Sequence, residues 1–109
     1  MTLPIIGVII GILIGLFFPI KLPVEYSKYL SVALLASLDS VFGGIRAAME
    51  EKFDNTVFIT GFFFNAVLAV MLVFIGERLG MDMYYVASLA FGLRIFQNLA
   101  IIRRYIIKK

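Results

Sequence analysis

Two stretches of about 20 residues contain no charged side chain, and they constrain the fold more than any motif does. They are residues 1–20 and 55–76; residues 29–48 and 83–102 are apolar apart from a few scattered polar side chains. A helix of about 20 apolar residues crosses roughly 30 Å of hydrocarbon. A soluble fold fails to explain the pattern, because only 16% of the 109 residues are charged, too few to cover so apolar a core.

The sequence therefore predicts an all-α integral membrane protein, a compact four-helix transmembrane bundle in a single domain. Between the spans lie short connectors, and Gly76 and Gly80 are expected to break the chain after the third span. The predicted spans are about 3–20, 29–48, 56–76 and 83–102.

The composition excludes several kinds of chemistry. The chain has no Cys and no His, which excludes disulfides, thiol catalysis, Cys/His zinc sites and a histidine acid–base catalyst. No span contains paired carboxylates, and no serine–base set or phosphate-binding glycine loop is present. We therefore expect no catalytic residues, metal or cofactor, and no enzyme activity.

Basic residues outside the spans predict the orientation. The connector at Lys52 and the tail (Arg103, Arg104, Lys108 and Lys109) carry five, against three on the other side (Lys21, Lys28 and Arg78). This favours cytoplasmic N and C termini in a multi-pass protein of a bacterial cell membrane. The bias is modest, which leaves a dual-topology dimer as an alternative. The net charge of +3 suits anionic lipid headgroups, and no nucleic-acid motif is present.

Small residues spaced four apart predict close helix packing. Gly7, Gly11 and Gly15 share one face of the first span, where a neighbouring backbone can approach closely. The partner helix is either in this chain or in another copy. We therefore expect a tight bundle and a homo-oligomer. The small residues of the other spans are Ala36, Ser40, Gly43 and Gly44 in the second, Gly61 in the third and Gly92 in the fourth.

Charged residues inside the apolar spans form the candidate site. Asp39 and Arg94 lie near the middle of the second and fourth spans, where each costs about 2.5–3.5 kcal/mol to insert. Because these spans run in the same direction, the two residues lie at similar depth. We expect a bidentate ion pair, with Asn65 of the third span filling a remaining hydrogen-bond site.

A second polar layer is expected nearer the cytoplasm, where Arg46, Gln97 and Asn98 can meet. For Arg46, snorkelling to the interface is the alternative. For Asp39 and Arg94 three roles stay open: a structural pair that fixes helix register, a path for an ion or proton, and recognition of a partner protein.

Three segments resemble the bacterial small basic protein family. They are residues 36–47 (ASLDSVFGGIRA), 58–65 (FITGFFFN) and 91–104 (FGLRIFQNLAIIRR). Members are uncharacterised integral membrane proteins, often encoded beside cell-division and cell-wall genes. The resemblance implies an envelope or division context and brings no assigned activity or ligand. The signature positions that the resemblance implies, all of unknown role, are Asp39, Arg46, Asn65, Arg94 and Asn98.

Two functional hypotheses follow. The first is a non-enzymatic scaffold or partner subunit that binds a division or envelope membrane protein. The alternative is a small oligomeric ion channel or transporter that uses the Asp39, Arg94 and Asn65 cluster.

Overall fold

Helices make up the regular structure of the protein, which a computed structural model describes over residues 2–18, 21 and 23–108. The four helices are α1 (Thr2–Phe17), α2 (Ser27–Met49), α3 (Asn55–Arg78) and α4 (Met83–Ile107), and a short 3₁₀ turn (Val24–Tyr26) leads into α2. No strand occurs in those ranges. The all-helical fold with four helices is as predicted.

Three of the helices are long and apolar enough to cross a membrane: α2 with its preceding turn, α3 and α4. Helix α1 has 16 residues and is therefore about 24 Å long, less than a typical hydrocarbon core. The first predicted span also included Pro19 and Ile20, which lie outside the described residues. At the other end of the chain, α4 continues to Ile107 and places Arg103 and Arg104 on the helix.

The ends of α3 follow from local hydrogen bonding. Asp54 caps its first turn, because the Asp54 Oδ1 atom accepts a bond from the Val57 N–H at 3.0 Å. The helix closes at Gly80, which has a φ of +74°; the N–H of Met81 bonds the Gly76 carbonyl at 2.8 Å. The expectation that Gly76 breaks the chain is wrong. Gly76 lies within the last turn of α3, where its missing side chain leaves room for Met83.

Helix α2 ends in the same type of turn, but without a glycine. Glu51 takes the left-handed position, with a φ of 59°, and the Lys52 N–H bonds the Ala47 carbonyl at 2.8 Å. A side chain in this conformation is strained by contact between its Cβ and the backbone. The turn is nevertheless closed by its hydrogen bonds, and it sets α3 antiparallel to α2.

Helices α2, α3 and α4 form one packed body, with α2 contacting both others extensively. Its core consists of small apolar side chains, which let the helices approach closely. They are Val32, Ala36, Ala69, Val73 and Ala87.

Helix α1 departs from the predicted four-helix bundle. It touches α2 at few positions, and its described side chains are exposed except for the half-buried Val8. The bundle seen within the described residues is therefore one of three helices with α1 at its side. Helix α1 is apolar on every face, so no hydrophobic stripe directs one side of it against α2.

The predicted small-residue contacts form at some positions and not at others. A Cβ added at Gly7, Gly11 or Gly15 would meet no atom of the described chain within 4 Å, so that part of the chain supplies no partner for this stripe. The same holds for Gly61 and Gly92, so the described chain supplies no close partner for them either. The residues that do lie at helix contacts are Ala36, Ser40, Gly43 and Gly44.

Gly44 marks a close approach of α2 to α3. A Cβ at this position would lie 2.9 Å from Cδ1 of Phe58, a ring that sits beside Phe53 and Phe62 with centroid distances of 5.6 and 6.0 Å. The absence of a side chain at Gly44 thus lets an aromatic cluster pack directly on the α2 backbone.

Candidate functional site

The centre of the candidate site is a contact between α2 and α4. Nη2 of Arg94 lies 3.2 Å from Oδ2 of Asp39. The Asp39 side chain is fully buried between the helices, whereas the Arg94 side chain is 59% exposed. The structure therefore brings the two charges together as predicted, with the carboxylate inside the body and most of the guanidinium on its surface.

The pair is not the bidentate one that was expected. Neither Asp39 carboxylate oxygen makes a hydrogen bond of good geometry within residues 23–108. Arg94 thus approaches Asp39 closely without the aligned, two-bond geometry of a bidentate pair. The attraction between these groups is mainly that of two opposite charges in an apolar environment.

Asn65 does not complete the Asp39 site, and that prediction is wrong. Its Nδ2 donates to Oγ of Ser40 at 3.4 Å, one residue further along α2. Successive residues on a helix are about 100° apart, so Ser40 faces α3 while Asp39 faces α4. Asn65 consequently ties α3 to α2 on a different side of α2 from the ion pair.

The second polar layer is present in part. Nη1 of Arg46 donates to Oδ1 of Asn98 at 3.2 Å, and Nε of Arg46 lies 3.6 Å from Oε2 of Glu50. Asn98 is buried beside Gly43, whose Cα leaves the amide room. Gln97 lies on the surface and makes no hydrogen bond within the described ranges. It lies next to Asn98 along α4 but does not contact the other polar side chains of this layer through a hydrogen bond.

The two layers line one groove on the outside of the body. We call this cleft of about 310 Å³ between α2 and α4 the polar groove. Each cation in it has an acidic neighbour, Arg94 with Asp39 and Arg46 with Glu50, which leaves the groove close to neutral. Its lining consists of Gly43, Arg46, Ala47, Glu50, Arg94, Gln97 and Asn98.

A further polar cluster lies at the opposite end of the body and was missed from sequence. The Tyr29 hydroxyl donates to Oε2 of Glu77 at 2.6 Å, and Nζ of Lys28 lies 5.9 Å from the centre of the Tyr84 ring. A tyrosine and a carboxylate predicted at the same membrane face are the signal that could have paired them.

The site combines a buried carboxylate with exposed hydrogen-bond donors. The described residues contain no group of three or more His, Cys, Asp or Glu side chains that could hold a metal ion. Asp39 is sealed by its neighbours, whereas Arg94 and Gln97 present several N–H donors on the outer surface. What the arrangement offers is a patch of hydrogen-bond donors in an otherwise apolar helix face.

Comparisons with known proteins agree with the resemblance in residues 36–47, 58–65 and 91–104. The "Small basic protein" of Bacillus subtilis (strain 168) is 50% identical over 109 residues, covering 100% of this chain and 90% of that protein. Uncharacterized proteins of Mycobacterium bovis and Mycobacterium tuberculosis are 40% identical over 84 residues, or 75% of this chain and 69% of each of them. No solved structure matches the chain significantly.

A family model described as "Protein of unknown function (DUF1290)" matches residues 22–107, a range that includes α2, α3, α4 and every residue of the polar groove. The chain therefore belongs to the DUF1290 family, as its similarity to the small basic protein also indicates.

Proposed function

We propose that the protein is a non-enzymatic, multi-pass subunit of a bacterial cell membrane, with cytoplasmic termini, that binds another membrane protein through the polar groove. The partner belongs to the cell-division or cell-envelope machinery, a context that comes from the family resemblance. The observation that carries the proposal is the position of Arg94, in the middle of an apolar helix and more than half exposed on its outer face.

The cost of leaving Arg94 uncovered supports a partner. A cation at the centre of a membrane helix costs about 2.5–3.5 kcal/mol on insertion scales, and polar side chains at this depth ordinarily face protein or water. Asp39 offsets the charge of Arg94 from one side only. Another helix that presents hydrogen-bond acceptors would satisfy the remaining donors and shield them from lipid.

The burial of Asp39 favours a binding role over conduction. A carboxylate that passes ions or protons must be reached by water or by the ion, and the Asp39 side chain has no exposed surface. The groove, by contrast, is open along its length at Arg94, Gln97 and Arg46. An open, nearly neutral groove suits a polar helix better than it suits a permeating ion.

The test is native mass spectrometry of the protein released gently from its own membrane. The wild type is expected to carry another membrane protein in a fixed ratio. Gln97→Trp fills the groove without removing an internal hydrogen bond, and is expected to reduce the bound partner about tenfold, as loss of a central contact does. Phe96→Trp is the matched control, because Phe96 is 73% exposed and lines no part of the groove.

Two results would contradict the partner role. One is a protein found only with copies of itself, and the other is equal loss of partner in Gln97→Trp and Phe96→Trp. In the first case the stacked polar layers favour the second candidate, an oligomeric channel in which grooves of neighbouring copies face each other.

The channel candidate makes its own prediction in liposomes. Asp39→Asn is expected to abolish ion or proton flux while the oligomer stays intact, because the charge is removed with little change in shape. Flux is measured with a fluorescent reporter and assembly by native mass spectrometry. Loss of folding in Asp39→Asn, or flux equal to that of the wild type, would count against conduction.

A further inference from the structure

A second, wider cleft lies where the polar groove reaches the C-terminal end of α4. We call this cleft of about 560 Å³ the basic mouth; it is lined by Glu50, Ile101, Arg104, Tyr105 and Lys108. It adjoins the polar groove at Glu50. Its volume lies in the range of about 300–1,000 Å³ that is typical of small-molecule sites.

Ile101 is followed by Arg104 and Tyr105 three and four positions later, so these three residues share one face of α4, and Lys108 caps the end of the helix. A guanidinium, a phenol and an ammonium group therefore line the same cleft. The position of Lys108 is fixed by the helix end, since its backbone is left-handed with a φ of 57° and its N–H bonds the Arg104 carbonyl. Arg104 and Lys108 together match the donors that bind phosphate oxygens.

The charge balance of the basic mouth favours an anion. Glu50 is the acidic residue in its lining, and the Arg46 guanidinium lies 3.6 Å from that carboxylate. With Arg46 included, three cations and one carboxylate lie in or beside this cleft, which gives it a net positive charge. The carbonyls at the end of α4 repel anions, so the side chains must supply the attraction.

We propose that the basic mouth binds the phosphate group of an anionic phospholipid. Ile101 extends the lining toward the predicted span, where an acyl chain would lie, and Tyr105 is of the residue type that favours the headgroup layer. Basic pockets between membrane helices bind anionic headgroups in this way. The proposal rests on the proposed membrane location, and it does not depend on the proposed protein partner.

The experiment uses the purified protein in a neutral detergent and native mass spectrometry. Phosphatidylglycerol, phosphatidylcholine and inorganic phosphate are added in separate samples. One phosphatidylglycerol per chain is expected, with about tenfold weaker binding in Arg104→Gln and in Lys108→Gln, since each loses a charge-assisted contact. Arg103→Gln is the matched control: it removes the same charge from the next residue, which lines neither cleft, and less than about a twofold change is expected.

Three results would overturn the proposal. Equal weakening by all three variants would mean diffuse attraction to a basic tail, and equal retention of phosphatidylcholine would mean that the net negative charge of the headgroup plays no part. Binding of inorganic phosphate with the same dependence on Arg104 and Lys108 would identify a soluble phosphate ligand instead. Circular dichroism of each variant verifies the fold. If the protein binds the lipid but has no protein partner in membranes, the proposed function is contradicted and the lipid proposal is not.

Discussion

Replacing Arg94 with glutamine is expected to lower the free energy of unfolding by about 3 kcal/mol, the largest loss among single changes at the polar groove. The reason is that Asp39 has no exposed side-chain surface, and Arg94 is the cation beside it. Without that cation the carboxylate is left buried and uncompensated between α2 and α4. Unfolding in mixed detergent micelles, followed by circular dichroism, measures the change.

The double variant Asp39→Asn with Arg94→Gln is the control for this prediction. It removes both charges together, and is expected to recover more than half of the lost stability because two amides can bond each other. A loss below about 0.5 kcal/mol in Arg94→Gln would contradict a structural role for the pair. A double variant as unstable as the single one would show that Arg94 acts through packing.

The second large effect is expected at Gly44. Gly44→Leu should destabilise the protein by about 3 kcal/mol, because even a Cβ would lie 2.9 Å from the Phe58 ring. Phe58 cannot move aside freely, since Phe53 and Phe62 pack on either side of it. The change is measured by the same unfolding experiment in mixed detergent micelles. The destabilised variant should also lose the contact between α2 and α3.

Gly61→Leu is the matched control for Gly44→Leu. Both glycines lie within helices, but a Cβ at Gly61 meets nothing within 4 Å in the described chain. A change below about 1 kcal/mol is expected there, of either sign, because a helix favours leucine over glycine. Equal destabilisation by the two variants would contradict the close approach at Gly44. Loss of an oligomer in Gly61→Leu with normal stability would identify Gly61 as a contact between chains.

The sequence was sufficient to predict the helices and the central ion pair. Asp39 and Arg94 are the charges near the middle of their spans, so the energetic cost of isolation alone makes them partners. Depth along the membrane follows from counting residues at a fixed rise. The rotation of each helix about its own axis cannot be obtained by counting residues. For this reason Asn65 was predicted to contact Asp39, whereas the α2 residue that it contacts is Ser40.

Small-residue patterns gave a weaker prediction than the charges. A glycine stripe shows that a helix can be approached closely, but it does not identify the partner helix. Gly44 lies against Phe58, whereas the stripe at Gly7, Gly11 and Gly15 has no partner in the described chain. Gly76 was misassigned for a related reason: glycine leaves room for a neighbouring side chain as often as it ends a helix, and here that neighbour is Met83.

The pairing of Asp39 with Arg94 has a consequence for biogenesis. The ribosome makes Asp39 about 55 residues before Arg94, a delay of several seconds at roughly 5–20 residues per second. In the proposed membrane protein, α2 spends that interval with a carboxylate whose counter-ion has not yet been made. A nascent chain that stalls before α4 would carry an uncompensated charge in α2, so stable insertion of α2 under the proposed function depends on synthesis of α4.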